Sequence, residues 1–126
     1  NLCATCGSNI INIIDVNTGK IIKRYNDETV INRKKDTFLR VEWTHVDGTS
    51  VLVSGGFHGK VKIILPKFSM CLSTIDAHMT PIYCLKFHHK YPNILLTGSN
   101  DHKIKIWQLT FKEGETDLDW ECASKY

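Results

Sequence analysis

The sequence contains no apolar run long enough to cross a membrane and no stretch with a sustained helical period. A membrane span needs about 18 or more consecutive apolar residues, whereas the apolar runs here are short and bounded by Gly, Asn, Asp or Pro. Such runs are typical of β-strands. The first residues also lack the layout of a secretory signal peptide. The sequence therefore predicts an all-β chain that does not insert into a membrane.

Charge bias and catalytic motifs are equally sparse. The net charge is +3, with 42% hydrophobic and 23% charged residues, which is ordinary for a globular domain. There is no glycine-rich phosphate loop, no nucleophile elbow and no pair of carboxylates with an evident base. We therefore predict a domain that is not an enzyme and needs no cofactor. The small basic excess does not indicate direct nucleic-acid binding.

The cysteines do not form a metal-binding pattern. Cys3 and Cys6 have the two-residue gap of zinc and redox motifs, but a strand points its i and i+3 side chains to opposite faces. The remaining cysteines are single residues, and the total of five is odd. Hydrophobic neighbours favour reduced, buried thiols that act as small apolar side chains. This usage is typical of a reducing, intracellular compartment.

The most informative segment is residues 95–109, which predicts two strands joined by a tight polar turn and closed by a tryptophan. The segment resembles a WD40 propeller blade, and His78, Ser99, Asp101 and Trp107 have the spacing of the polar residues that lock such a blade. In this interpretation the imidazole links the turn carboxylate to a strand hydroxyl, and the hydroxyl faces the indole N–H. Each buried polar group then has a partner. His78 is therefore predicted to be structural, not a catalytic base.

The same pattern recurs twice upstream. Residues 53–64 align with it at an offset of 43 residues, which puts Ile64 at the position of Trp107. Residues 5–15 align a further fifty residues upstream, which puts Ile14 there. WD40 blades repeat about every 40–45 residues, and the surplus falls in a polar stretch that suits a surface loop. We expect the two upstream blades to be held by apolar packing without the full polar lock.

These copies divide the chain into four parts: the end of one blade (1–25), a loop (26–37), a second blade (38–76) and a third blade (77–126). Propellers have about 4–8 blades, so we expect a partial propeller of about two and a half to three four-stranded blades, belonging to a longer protein. The acidic stretch 110–119 is expected to connect two strands, with a docking site as the alternative.

Several segments resemble two related propeller families. The segments similar to the leucine-rich repeat and WD repeat-containing proteins associated with the origin recognition complex are residues 4–7, 14–19, 38–44 and 75–78. The segments that resemble the embryonic ectoderm development subunit of the Polycomb repressive complex are residues 38–44, 86–96 and 101–102. We prefer the first family because the Ile-Asp-x-x-Thr-Gly turn and the x-Ala-His dipeptide match it better.

Either resemblance implies a nuclear chromatin adaptor that reads trimethylated lysine on histone H3 or H4 tails. The partners implied are origin recognition complex subunits, with roles in replication initiation and heterochromatin, or a Polycomb methyltransferase complex. A WD40 adaptor of an unrelated pathway is the alternative. Methyl-lysine readers hold the cation against aromatic rings by cation–π attraction. Phe38 is the candidate cage wall, although Leu39 follows where a second ring is expected, and a packing role for Phe38 is the alternative.

Two other groups are candidate contacts for a partner. Phe57 and His58 occupy the turn that corresponds to Asn100 and Asp101, so they are expected on a propeller rim. A short basic group could contact phosphate or form a solvated loop face. Its members are Arg33, Lys34 and Lys35.

Overall fold

A computed structural model of the protein describes residues 1–31, 33–46, 48–113 and 118–124. This part of the chain forms antiparallel β-sheets with one short 3-10 helix, Pro66–Phe68. In each of the three larger sheets, every strand pairs with the next strand along the chain. Short apolar runs separated by polar turns favour this order, because a tight turn returns the chain antiparallel to its own preceding strand. The all-β prediction is confirmed.

Three blades and one separate hairpin make up the sheets. Blade 1 contains β1 (Leu2–Gly7), β2 (Ile10–Asp15) and β3 (Ile21–Asn26). The hairpin contains β4 (Val30–Ile31) and β5 (Lys34–Lys35). Blade 2 contains β6 (Phe38–Val46), β7 (Thr49–Gly56), β8 (Lys60–Leu65) and β9 (Met70–Asp76). Blade 3 contains β10 (Ile82–Phe87), β11 (Ile94–Ser99), β12 (Ile104–Glu113) and β13 (Leu118–Ser124).

The β2–β3 turn is closed by the polar side chains of its own sequence. The carboxylate of Asp15 accepts a hydrogen bond from the backbone N–H of Asn17 at 2.9 Å. Gly19 adopts a φ of +70°, a conformation that glycine reaches without the steric cost other residues meet. Residues 17–19, part of the Ile-Asp-x-x-Thr-Gly segment, therefore form the hairpin turn between β2 and β3.

Two stretches differ from their predicted structure. Residues 26–37, predicted as a loop, contain the β4–β5 hairpin, in which Val30 pairs with Lys35 and Ile31 with Lys34. The β-branched pair Val30–Ile31 favours an extended backbone, and Arg33 makes the turn with a φ of +65°. The acidic stretch 110–119 is strand at both ends, since β12 extends to Glu113 and β13 begins at Leu118. Residues 114–117 lie outside the described part.

The core lies between the blades. Strands β1, β6 and β10, the first of each blade, pack side by side, so blade 2 is covered by blade 1 on one face and by blade 3 on the other. The cluster between blades 1 and 2 is centred on Ile11, Phe38, Leu52 and Ile64. The cluster between blades 2 and 3 is centred on Val51, Val53, Val61, Ile63, Leu65, Ala77, Ile82, Leu85, Leu95 and Leu109.

Blade 3 packs directly against the backbone of blade 2. A Cβ atom built on Gly55 would lie 2.8 Å from Cγ2 of Ile82, closer than carbon atoms normally approach. The absence of a side chain at Gly55 is therefore what lets β10 contact β7. Full burial of an aliphatic side chain such as Ile82 contributes about 1.5–3 kcal/mol relative to exposure.

Candidate functional site

A chain of hydrogen bonds crosses the interior of blade 3. Nδ1 of His78 lies 3.0 Å from Oδ2 of Asp101, and Nε2 lies 2.8 Å from the hydroxyl of Thr97. The indole N–H of Trp107 donates to that hydroxyl at 3.0 Å. A neutral imidazole with its proton on Nδ1 satisfies all these contacts, since Nδ1 then donates to Asp101 and Nε2 accepts from Thr97. Three of the four predicted residues, His78, Asp101 and Trp107, therefore take part in this chain of hydrogen bonds.

Ser99, the fourth predicted residue, is not part of this chain, and Thr97 takes its place. The Ser99 hydroxyl lies 2.9 Å from the carbonyl of Thr80 and 2.8 Å from that of Pro81. Two residues span about 6.6 Å of strand, which moves Ser99 away from Trp107 and toward the segment that enters β10. The repeat contained a signal for Thr97: the equivalent residue of blade 2 is the hydroxyl-bearing Ser54, whereas the equivalent of Ser99 is Gly56.

The environment of this hydrogen-bond chain favours a structural role for His78. Partial burial raises the pKa of Asp101, but hydrogen bonds from His78 and from the backbone N–H of Lys103 outweigh this effect, so the pKa lies below its ordinary value. The carboxylate is thus held in its charged form. The side chain of His78 is fully buried, and both of its ring nitrogens are engaged. The Thr97 hydroxyl that contacts this imidazole is itself fully buried.

Phe38, the predicted cage wall, lies in the core and not on an open surface. It is 3% exposed, and its ring centroid lies 6.4 Å from that of Tyr25. The ammonium of Lys62 lies 6.0 Å from the Phe38 ring centroid. The chain's own side chains therefore surround this ring, and the interpretation of Phe38 as an accessible cage wall is wrong. Its position at the start of β6, covered by blade 1, explains why the packing alternative holds.

A buried ion pair joins Lys62 of β8 to Asp27, which directly follows β3. Both side chains are 3% exposed, and their charged groups are in direct contact. The other carboxylate oxygen of Asp27 accepts the backbone N–H of Thr29 at 2.9 Å, and Asn9 donates to the Asp27 carbonyl. Burial lowers the pKa of Lys62. No local sequence pattern indicates this pair, because the two residues are far apart along the chain.

The polar turn of blade 2 lies against two connecting segments. The backbone N–H of Phe57 donates to the carbonyl of Thr37 at 2.8 Å, and the N–H of His58 donates to the carboxylate of Asp36. The carbonyl of Gly59 accepts the N–H of His78 at 2.9 Å. Hydrogen bonds thus connect residues 36–37, 57–59 and 78. We call this surface, together with the hairpin residues 28–31 and 33–35 and with residues 79–80, the hairpin rim.

The hairpin rim exposes large apolar side chains and cations. Val30 is 57% exposed, Phe57 52% and Met79 93%, whereas His58 is half-buried against the Phe57 ring edge. Lys35 pairs with Glu28 at 2.8 Å. The other two predicted basic residues, Arg33 and Lys34, are exposed, and their side chains have no ion-pair partner within the described part of the chain.

A groove of about 510 Å³ lies on the outer face of blade 3. Its lining includes Tyr83, Leu96, Gly98 and Ile104. Gly98 corresponds to Gly55, the residue through which blade 2 receives blade 3. The groove therefore lies on the face of blade 3 that is equivalent to the face of blade 2 against which blade 3 packs.

The cysteine expectation needs correction. Cys3 and Cys84 are exposed, and Cys6 and Cys71 are half-buried, so none of these four free thiols is fully buried. Cys3 and Cys84 lie on outward blade faces, while Cys6 and Cys71 pack at the edge of the cluster between blades 1 and 2. Burial and the neighbouring Cys71 raise the pKa of Tyr25 in that cluster to about 12. Among the described residues, no His, Cys, Asp or Glu group is arranged to hold a metal ion.

Comparisons with known proteins agree on one superfamily. Residues 1–123 match the family model described as "Leucine-rich repeat and WD repeat-containing protein 1, WD domain". The chain is 34% identical over 126 residues to leucine-rich repeat and WD repeat-containing protein 1 of Xenopus tropicalis, covering 93% of this chain and 17% of that protein. It is 31% identical over 111 residues to Polycomb protein esc of Musca domestica, covering 84% of this chain and 25% of that protein.

A solved structure shares the fold. A chain of Chaetomium thermophilum Polycomb Repressive Complex 2 bound to GSK126 superposes with a TM-score of 0.76 at 20% identity, over 93% of this chain and 27% of that chain. The predicted partial WD40 propeller is thereby confirmed. The chain spans less than a fifth of the length of the Xenopus relative. No helix in the described residues is long and apolar enough to cross a membrane. Because the family model matches nearly the whole chain, the protein belongs to the WD domain family of leucine-rich repeat and WD repeat-containing protein 1.

Proposed function

We propose that this propeller part is a non-catalytic docking surface of a nuclear chromatin scaffold that associates with the origin recognition complex. The observation that carries the proposal is the family match over residues 1–123, combined with a rim that exposes Phe57 and Met79. Large exposed apolar side chains on a soluble surface mark contact sites for other proteins. The buried hydrogen-bond chain of blade 3 serves to hold that surface in place.

A second candidate is a subunit of a Polycomb-type methyltransferase complex. The similarity to Polycomb protein esc at 31% identity favours this alternative. The shared fold with a Polycomb Repressive Complex 2 chain is compatible with both candidates, since it reports the propeller architecture alone. The two candidates differ in the complex that the protein carries.

Reading of trimethylated histone lysine, which the family resemblance implies, requires an aromatic cage that does not include Phe38. Phe38 is buried by Tyr25 and Lys62, so any cage would use other rings of the full-length protein. We propose that histone H3 or H4 tail binding, where it occurs, is independent of the ring of Phe38. Phe38→Leu, which preserves burial, would then leave binding of a trimethylated peptide unchanged.

Affinity purification of the full-length protein from nuclear extract tests these proposals. We expect origin recognition complex subunits at stoichiometric levels. Methyltransferase subunits in their place would move the protein to the second candidate, and neither set would leave it a WD40 adaptor of an unrelated pathway. Binding to trimethylated and unmodified histone peptides is measured separately by fluorescence anisotropy, and equal affinity for both would contradict methyl-lysine reading.

A further inference from the structure

We propose that the hairpin rim binds an acidic segment of a partner protein that carries a large apolar side chain. This inference rests on the proposed scaffold function and names the chemistry of the partner. Neither the family match nor the blade lock assigns a ligand to this surface. The evidence comes from its apolar side chains, its charge and its backbone geometry.

The apolar part of the rim is provided by three separate segments. Val30 comes from the hairpin, Phe57 from the β7–β8 turn and Met79 from the segment before β10, and more than half of each side chain is exposed. Backbone hydrogen bonds join the Phe57 turn to Thr37, which follows the hairpin, and Gly59 to His78, which precedes Met79, so one ligand segment can contact more than one of these segments. Aromatic and methionine side chains are enriched at protein interfaces. A large apolar side chain of the partner would therefore remove this surface from water.

The charge of the rim selects an acidic partner. Glu28 is neutralised by Lys35, and the buried carboxylate of Asp36 accepts backbone N–H groups of Thr37 and His58. Arg33 and Lys34 are exposed cations without a compensating carboxylate among the described residues, so the exposed charge is positive. A basic histone tail would be repelled here, whereas an acidic segment would be attracted and steered during encounter.

Two segments of the rim, residues 57–59 and 78–80, are packed tightly together before a partner binds. Gly59 has a φ of +78°, and a Cβ atom there would lie 2.0 Å from the carbonyl oxygen of His78, which shows how closely the turn and the neighbouring segment pack. The His78 side chain is in turn fixed by Asp101 and Thr97. A preorganised surface loses less conformational entropy on binding. The polar lock of blade 3 thus positions the Met79 segment for docking.

The test is phage-display selection of short random peptides on the immobilised full-length protein, followed by affinity measurement for the enriched peptides. We expect enriched sequences rich in Asp and Glu around an aromatic or aliphatic residue. Phe57→Ala should weaken the binding of such a peptide by about tenfold. The double variant Arg33→Gln, Lys34→Gln should weaken it at low salt and flatten its salt dependence. Circular dichroism checks that the variants stay folded.

A matched control lies in the β10–β11 turn, at the opposite end of the blades. Tyr91 is 59% exposed and Lys90 is exposed, so Tyr91→Ala with Lys90→Gln removes an equivalent aromatic and a charge. This control should leave peptide binding unchanged. Enrichment of basic or neutral peptides, or a Phe57→Ala variant that binds like the wild type, would overturn the proposal.

Duplex DNA is the second probe. Salt-sensitive DNA binding that depends on Arg33 and Lys34 but not on Phe57, without selection of acidic peptides, would also overturn the proposal by assigning the rim to nucleic acid. Failure of the rim proposal differs from failure of the scaffold proposal. The scaffold proposal fails when the wild-type full-length protein copurifies with none of the expected complexes, whatever peptides the rim selects.

Discussion

Blades 2 and 3 have the same strand order and similar sequences, yet different side-chain interactions stabilise them. In blade 3, Thr97 joins His78 to Trp107. In blade 2 the equivalent hydroxyl belongs to Ser54, and it is buried without a hydrogen-bond partner among the described residues. Ile64 replaces the tryptophan and is 1% exposed. Blade 2 thus has the equivalent hydroxyl, but Ile64 stands where the tryptophan that hydrogen-bonds to it would be.

Two equivalent lysines show which contact blade 2 has in place of the hydrogen-bond chain around His78. Lys62 and Lys105 occupy equivalent positions on β8 and β12, and each reaches the residue that directly follows the last strand of the preceding blade. Lys105 donates to the backbone carbonyl of Ala77, whereas Lys62 contacts the carboxylate of Asp27. One lysine position therefore connects neighbouring blades in both repeats. In blade 2 this contact has become a buried ion pair, while blade 3 relies on a histidine-centred chain.

The largest expected effect comes from breaking the ion pair. Lys62→Met leaves the carboxylate of Asp27 buried and unpaired, which costs about 3–5 kcal/mol of folding free energy. The equivalent Lys105→Met loses one hydrogen bond to a carbonyl and costs about 1 kcal/mol. Urea unfolding followed by tryptophan fluorescence measures both. Equal effects of the two variants would contradict the difference between the blades, and Lys62→Met with Asp27→Leu should recover most of the loss.

The second effect comes from removing the centre of the lock in blade 3. His78→Ala leaves Asp101 without a side-chain partner and removes the acceptor of the Thr97 hydroxyl proton, and it costs about 1–3 kcal/mol. The chemical control is His88→Ala, since His88 is exposed in the β10–β11 turn and bonds only nearby backbone N–H groups. Hydrogen exchange of the β11 and β12 amides gives a local readout. If His78→Ala showed wild-type protection from hydrogen exchange, the hydrogen-bond chain would not stabilise blade 3.

A smaller effect on stability is expected from removing the equivalent hydroxyls of Thr97 and Ser54. Thr97→Val removes the bridge between His78 and Trp107 and costs about 1–2 kcal/mol. Ser54→Ala removes a hydroxyl that has no partner, so the change is neutral or stabilising by a few tenths of a kcal/mol up to about 1 kcal/mol. Thermal unfolding in parallel compares the signs. A destabilising Ser54→Ala would mean that the hydroxyl is satisfied and that the blades are more alike than their side chains indicate.

The smallest effect is the pH dependence that comes from Asp101 in the hydrogen-bond chain of blade 3; His58 occupies the equivalent position in blade 2. The pKa of Asp101 is lower in the folded protein than its ordinary value of 3.8, so its contribution to stability is fully present above that value and is lost as the pH falls through the folded pKa. The destabilisation caused by Asp101→Asn should therefore shrink below about pH 4. Urea midpoints measured from pH 6 to pH 2 test this, and a constant difference between the two proteins would count against it.

Much of the fold could be predicted because it depends on local patterns. The short apolar runs bounded by turn residues indicated the strands, and the turn at residues 17–19 carries its own polar closure. The hairpin around Arg33 was missed because two-residue strands give too short a pattern to separate from a polar loop. The hydrogen-bond chain of blade 3 was predicted with Ser99 in place of Thr97. Spacing along one strand does not say which of two hydroxyls on the same face contacts the tryptophan.

By itself, the sequence determined the class, the repeat and the order of the strands, since these depend on side-chain alternation and turn chemistry within about ten residues. Only the tertiary structure decided which equivalent residues are covered. Val61 and Ile63 are fully buried, because blade 3 packs over them. It also decided that Phe38 packs inside and that Lys62 meets Asp27. Burial and ion pairing depend on which segments meet across blades, and that information is not local to any stretch of the chain.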